Sequence, residues 1–222
     1  ARVYPEQKRR IVESLQNKNH IVSMTGDGVN DAPALKKATI GVAMGSGTDV
    51  AKESADMIIQ DDNFATIVKA IKEGRTIFDN LKRFLKFQLT TNIAAILTIT
   101  IGSILPIPTP FTPIQLLWIN LVTDSLPALA LSFDPANKDI MKKKPVDPKK
   151  GVFTLGMTYR TIYQGLIIGL VTIAAFLIGI GTTTEAIEGL SIEQTKVEVG
   201  QTMAFITLAL SELVHVFNIR NN

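Results

Sequence analysis

The sequence predicts an α/β domain, incomplete by itself, followed by an all-α transmembrane bundle. Three observations carry that reading. Residues 1–63 alternate short apolar runs with helical patterns, which argues for a parallel sheet covered by helices. Four later stretches stay apolar for roughly the 20 residues that a hydrocarbon core of about 30 Å demands of a helix. Charged side chains concentrate in residues 1–86 and almost vanish from the apolar runs that follow. Of the 222 residues, 46% are hydrophobic, high for a soluble domain and low for a wholly membrane-embedded chain. A net charge of +3 is too small to point to nucleic acid. The absence of cysteine excludes disulfides and thiolate metal sites. No secretory signal opens the chain, and Ala1 leads straight into a helical pattern, so a fragment of a longer protein is expected.

Taken in order, Pro5 suits a helix start, and Lys8 to Leu15 continue it. Residues 20–24 form a short apolar strand, broken by Gly26-Asp27-Gly28. Asn30 or Asp31 is expected to cap the next helix, with Pro33 in its first turn. Ile40 to Ala43 make a second strand, 49–55 a short helix and Met57 to Ile59 a third strand. Three strands are too few for an independent sheet of this kind, so further strands are expected upstream. Asp61-Asp62-Asn63 then cap a long helix that starts near Phe64, serves as a stalk over 64–86 and becomes wholly apolar after Lys86.

The transmembrane part is expected over 84–222, with spans near 84–105, 114–133, 161–181 and 200–219. Residues 138–150 hold Lys138, Lys142, Lys143, Lys144, Lys149 and Lys150, whereas 182–199 hold Glu185, Glu188, Glu193 and Glu198 against Lys196 alone. The positive-inside bias therefore puts the Lys-rich loop in the cytoplasm. Phosphate chemistry also needs cytoplasmic nucleotide, which puts residues 1–83 and 134–157 on the same side.

Two constellations carry chemistry. In TGDGVNDAPALKKA (25–38), Asp27 follows a strand, where open α/β sheets bind ligands. Its carboxylate suits Mg²⁺, a hard cation that keeps several waters. Gly26 and Gly28 would let a phosphate approach the backbone. Asn30 and Asp31 open a helix whose first amides favour an anion. Lys8 can supply a positive charge to a phosphoryl group. The plain alternative is that G-D-G and N-D are only turn and cap residues. In QLLWINLVTDSLPA (115–128), Asn120, Thr123 and Asp124 are spaced i, i+3, i+4, so a regular helix would stack them on one face. Pro127 has no amide hydrogen for the Thr123 carbonyl and would push that turn open. An intramembrane carboxylate beside freed carbonyls offers the oxygen donors that Ca²⁺ takes. Asn92 reads equally as a helix-packing amide. Glu212, mid-span, is costly unless paired or protonated. His215 reads as a packing or interfacial residue, and Trp118 as a span residue packed near the site.

The stretch TGDGVNDAPALKKA, followed by AMGSGTDVAKESADM and DDNF, resembles the hinge end of the phosphorylation domain of P-type ATPases, which has a haloacid-dehalogenase-like fold. The resemblance covers essentially all 222 residues and is strongest to the calcium-pump branch. It implies that residues 1–63 are the C-terminal part of that domain, that Asp27 is an Mg²⁺ ligand, that Asn30 and Asp31 order the phosphorylated site, and that Lys8 in YPEQK contacts the phosphoryl group. It also implies that Asn92 is a cation ligand facing Asn120 and Asp124, and that Glu212 matches a glutamate completing one of two calcium sites. The two-site pumps carry a glutamate where this chain has Ala95, so one intact Ca²⁺ site is expected, with one Ca²⁺ per cycle. That leaves Glu212 as a ligand, a proton carrier or a neutral structural group. Loop 133–147 is expected to contact the phosphorylation domain.

The implied activity is ATP-driven export of Ca²⁺ from the cytoplasm through an aspartyl-phosphate, with a bacterial plasma membrane as the location. The family's DKTGT motif is not in the sequence. ATP would therefore be bound mainly by the missing nucleotide-binding domain, the actuator domain and first spans would be missing too, and the fragment alone should be inactive. Two rivals are a pump for Mn²⁺ or a monovalent cation and a membrane-anchored dehalogenase-type phosphatase. A third is a passive channel or inactive product.

Overall fold

The computed structural model describes residues 3–147 and 151–220. The expected loop residues Lys149 and Lys150 lie outside the described residues. The chain divides into two units, residues 1–73 and 74–222.

In the first unit, α1 (Pro5–Asn17) begins with Pro5 at its first position. Three parallel strands follow, β1 (Ser23–Gly26), β2 (Ile40–Met44) and β3 (Met57–Ile59), in the order β1-β2-β3. Ser23 is paired with Ile40 and Val42 with Met57. The first strand starts three residues later than the apolar run suggested; the run's own residues His20 to Val22 only lead into it. A 3₁₀ turn (Val29–Asp31), α2 (Ala32–Lys37) and α3 (Asp49–Glu53) make the crossovers. Leu35, Ala43 and Ala51 form the core between sheet and helices, with Met24 and Ala55 against them. Thr48 caps α3 by accepting from the Ala51 amide. Asp62 adopts φ +49 and turns its carboxylate back onto the Ser46 amide, so it does not cap the next helix. That cap belongs to Asn63, whose side chain accepts from Ala65 N at 2.9 Å, and to Asp61, which accepts from Thr66 Oγ1 at 2.7 Å.

Helix α4 (Phe64–Ile104) is continuous for 41 residues. After it come α5 (Pro113–Trp118), a π-helical turn (Ile119–Thr123), α6 (Ser125–Ser132), α7 (Leu155–Thr182) and α8 (Ile192–Arg220). Among the described residues, four segments are long and apolar enough to cross a membrane: α4, Pro113–Ser132, α7 and α8. The last two begin six and eight residues before the expected spans. The second unit packs around Ala94, Phe111, Ile119, Ile168, Phe176 and Leu208, with a smaller cluster of Phe87, Ala128, Leu131 and Ile219. Close approach of α7 to α4 depends on Gly165 and Gly169: a Cβ there would lie 2.7 Å from Ile93 Cγ2 and 2.8 Å from Leu97 Cδ2.

The segment after α6 is tied to α4 within this unit. Asn80 donates to the carbonyls of Ser132 and Asp134, and Arg75 to those of Ile140 and Lys143. Asp134 also takes Arg83 at 3.4 Å and Arg220 at 3.1 Å.

Candidate functional site

At the end of β1 the chain folds back on itself. Asp31 is buried, 6% exposed, and its Oδ2 accepts from the amides of Asp27 and Gly28, each at 3.3 Å. Its Oδ1 accepts from Lys8 Nζ at 2.6 Å. Burial pushes the Asp31 carboxyl up, yet the Lys8 ammonium and the two amides outweigh it and hold the group below its ordinary value. The expected helix cap is therefore corrected: Asp31 begins α2 but makes no side-chain cap, because its carboxylate is committed upstream. Asn30 is exposed on the 3₁₀ turn.

Gly26 has a packing reason of its own. A Cβ there would fall 2.4 Å from Asp31 Cβ, so this glycine makes room for Asp31. Gly28 stays open, with nothing closer than 3.9 Å to such a Cβ. Asp27 is exposed at the carboxyl end of the sheet, and its carbonyl accepts from Thr48 N at 2.8 Å. The exposed Asp27 carboxylate fits Mg²⁺, which takes one or two carboxylates and completes its shell with water and phosphate oxygens.

Within the second unit the polar groups gather on Asp124, which is 2% exposed. Its Oδ2 accepts from Gln88 Nε2 at 3.2 Å and Thr91 Oγ1 at 3.3 Å. Its Oδ1 has no hydrogen-bond partner. Glu212 is fully buried, neither of its carboxylate oxygens has a partner, and it lies within Coulombic reach of Asp124. Unpaired buried carboxylates are costly, and a bound cation is one means of offsetting that cost.

The π-helical turn decides which side chains share this place. The Asp124 amide donates to Ile119 O, five residues back, at 2.9 Å. The wider turn undoes the i, i+3, i+4 stacking. Thr123 and Asp124 are buried, but Asn120 is exposed and donates from Nδ2 to Leu116 O at 2.9 Å. Ser125 Oγ donates to the Asn120 carbonyl at 3.2 Å. The interruption thus lies upstream of Pro127, which sits inside the first turn of α6 where a missing amide hydrogen does little harm.

Asn92 is half-buried, and the donors to Asp124 are instead its neighbours Gln88 and Thr91. Sequence reasoning missed both. The signal was available, since Gln88 and Thr91 stand i, i+3 at the polar start of an otherwise apolar span. His215 is 4% exposed, so its packing role holds and an interfacial one does not. Trp118 is 55% exposed and does not pack into the site. Among the described residues no group of three or more His, Asp or Glu side chains is assembled. The oxygen set is two carboxylates with amides and hydroxyls.

Comparison with known proteins adds the following. The family described as "Cation transporting ATPase, C-terminus" matches residues 108–222, and the haloacid dehalogenase-like hydrolases match residues 6–71. The Calcium-transporting ATPase of Bacillus subtilis (strain 168) is 48% identical over 100% of this chain and 24% of its own length. Calcium-transporting ATPase 1 of Bacillus cereus (strain ATCC 10987 / NRS 248) is 47% identical over 100% of this chain and 26% of its own. An endoplasmic reticulum-type relative, Calcium-transporting ATPase 3 of Arabidopsis thaliana, is 50% identical over 80% of this chain and 18% of its own. The chain spans about a quarter of the length of these two Bacillus relatives.

Proposed function

This chain belongs to the P-type cation-transporting ATPases, and from that premise we propose that it is the C-terminal portion of a pump that exports Ca²⁺ from the cytoplasm, one ion per cycle, through an aspartyl-phosphate. The observation that carries the ion end is Asp124: a buried carboxylate on a π-turn inside a membrane-length segment, one oxygen fixed by Gln88 and Thr91 and the other unpartnered. An intramembrane carboxylate oriented in this way is a cation ligand by default. Glu212 adds a second acidic wall. Thr123 is buried next to Asp124 in the chain, Asn92 is half-buried on α4, and Asn120 is exposed on the turn; we assign all three to the cation path by the family resemblance. Carboxylate, amide and hydroxyl oxygens suit Ca²⁺ over soft or thiolate-seeking metals.

At the phosphate end, Asp27 would hold Mg²⁺, which supplies charge neutralisation when phosphate is bound. Lys8, positioned by Asp31 at 2.6 Å, presents its ammonium to the phosphoryl oxygens. Asn30 stands on the exposed turn beside Asp27. The acceptor aspartate and the ATP-binding domain come from outside these residues, so the fragment alone is inactive. Residues 1–83 and 134–157 face the cytoplasm of a bacterial cell, and the spans lie in its plasma membrane. Helix α4 is the one element that runs from the Asn63 cap to Gln88 and Thr91. Ion occupancy and phosphorylation are reciprocally coupled in such a pump.

The test is phosphorylation of the full-length protein by ATP. Phosphoenzyme should require Ca²⁺ and should be lost in Asp124→Ala, with Mn²⁺ and K⁺ unable to replace Ca²⁺. Phosphoenzyme formed equally well in a Ca²⁺ chelator would refute the ion assignment. Activity retained by Asp124→Ala would favour the anchored phosphatase.

A further inference from the structure

One cleft of about 520 Å³ in the second unit is used by neither of these sites. Six basic side chains line it: Lys82, Arg83 and Lys86 from α4, Lys143 from the segment between α6 and α7, Arg160 from α7 and Arg220 from α8. Acidic groups answer only part of that charge. Asp134 pairs Arg83 and Arg220, and Asp79 pairs Lys143 at 2.7 Å. Lys82 lies over the Phe78 ring, 4.4 Å from its centroid. Among the described residues no carboxylate pairs with Lys86 or Arg160. Holding like charges around one concavity is unfavourable unless an anion joins them.

The depth of the cleft identifies the anion. Lys86 is the last charge before the α4 span becomes apolar. On α7, Tyr159 and Tyr163 flank Arg160 and are 73% and 55% exposed, as in the aromatic belt at a membrane–water boundary. Leu155 beside them is 93% exposed and Leu166 38%. A soluble phosphate site would not need exposed apolar side chains and tyrosines along the helix that carries Arg160. A phosphate carried on acyl chains would use both the cations and that exposed face of α7.

We propose that this cleft binds the phosphate headgroup of an acidic phospholipid, with Lys86 and Arg160 as its principal contacts and the acyl chains running along the exposed face of α7.

The experiment is retention of lipid by the purified full-length membrane protein, counted by native mass spectrometry after delipidation and addition of phosphatidylglycerol or phosphatidylcholine. Phosphatidylglycerol should be retained and phosphatidylcholine not. The double variant Lys86→Gln/Arg160→Gln should lose about thirtyfold in phosphatidylglycerol affinity, at about fivefold per interfacial charge. Removing the same two charges outside the cleft, at Lys138 and Lys144, should change nothing. Arg160→Lys should keep most of the affinity, which guards against a variant that only misfolds. Equal loss in the Lys138→Gln/Lys144→Gln control would overturn the proposal in favour of a diffuse topological charge. Displacement of the lipid by millimolar inorganic phosphate, with phosphate itself raising the unfolding temperature through Lys86 and Arg160, would make it a free-phosphate site and overturn the lipid assignment. Because the readout is lipid retention, its failure leaves the transport assignment untouched.

Discussion

Alanine at Gly26 should separate Lys8 from Asp31 and loosen the turn after β1. The added Cβ would sit 2.4 Å from Asp31 Cβ and 2.8 Å from its Cγ, atoms that cannot swing aside without moving the α2 start. Overpacking of this kind costs about 1–3 kcal/mol. Displacing Asp31 also weakens three hydrogen bonds. The pair with Lys8 counts at the low end, since that lysine side chain is 33% exposed, and the two amide bonds are long at 3.3 Å. Together they add about 1 kcal/mol. The total of about 2–4 kcal/mol should speed hydrogen exchange of residues 23–31 by roughly thirtyfold or more. Gly28→Ala, whose Cβ meets nothing inside 3.9 Å, should cost less than about 1 kcal/mol. The decisive measurement is a double-mutant cycle with Asp31→Gly. If the clash is the cause, most of the Gly26→Ala penalty disappears in that background. Penalties that add to within about 0.5 kcal/mol would refute the reasoning.

Other outcomes can be measured on the same protein. The Asp31 carboxyl is depressed in the folded state, so the stability it contributes is complete above its unfolded value of about 3.9 and is lost as pH falls through the lower folded value. Asp31→Asn should flatten that acid limb in exchange rates of the first unit, and an unchanged limb would remove Asp31 as its source. Thr91→Val removes a 3.3 Å hydroxyl donor from Asp124 and should weaken Ca²⁺ activation of phosphorylation by about fivefold, read from a Ca²⁺ titration. Gly165→Ala and Gly169→Ala should each lower thermal stability by about 1–3 kcal/mol, because α7 can no longer approach Ile93 and Leu97. Gly181→Ala, with open space around it, should be neutral or stabilising by up to about 1 kcal/mol.

Much of this architecture is legible from periodicity and length. The four spans follow from runs of apolar residues, and all three strands from short apolar runs, because burial in lipid or sheet dictates side-chain polarity residue by residue. What escaped the sequence depended on backbone detail. Asp31 looks like a helix cap, but a lysine 23 residues earlier competes for its carboxylate and wins. Asn120 looks like a partner of Asp124, but one wider turn places it elsewhere. A glycine in a G-D-G run suggests a phosphate cradle. At Gly26 the Asp31 side chain, five residues on, comes within 2.4 Å of where a Cβ would sit, a contact that no pattern of residue types encodes.

The π-turn at Ile119–Thr123 has a further consequence. It holds one residue more than a regular helix would, so α6 is rotated relative to α5 by about 100°, the step of a single residue. Polarity patterns on the two halves of this span therefore belong to different phases. Deleting one residue between Ile119 and Thr123 would restore an unbroken α-helix of full spanning length. Because the turn absorbs the extra residue, α6 and the Asp124 carboxylate would keep their present facing toward Gln88 and Thr91, whereas tightening the turn to a regular helix with no deletion would rotate both by about 100°.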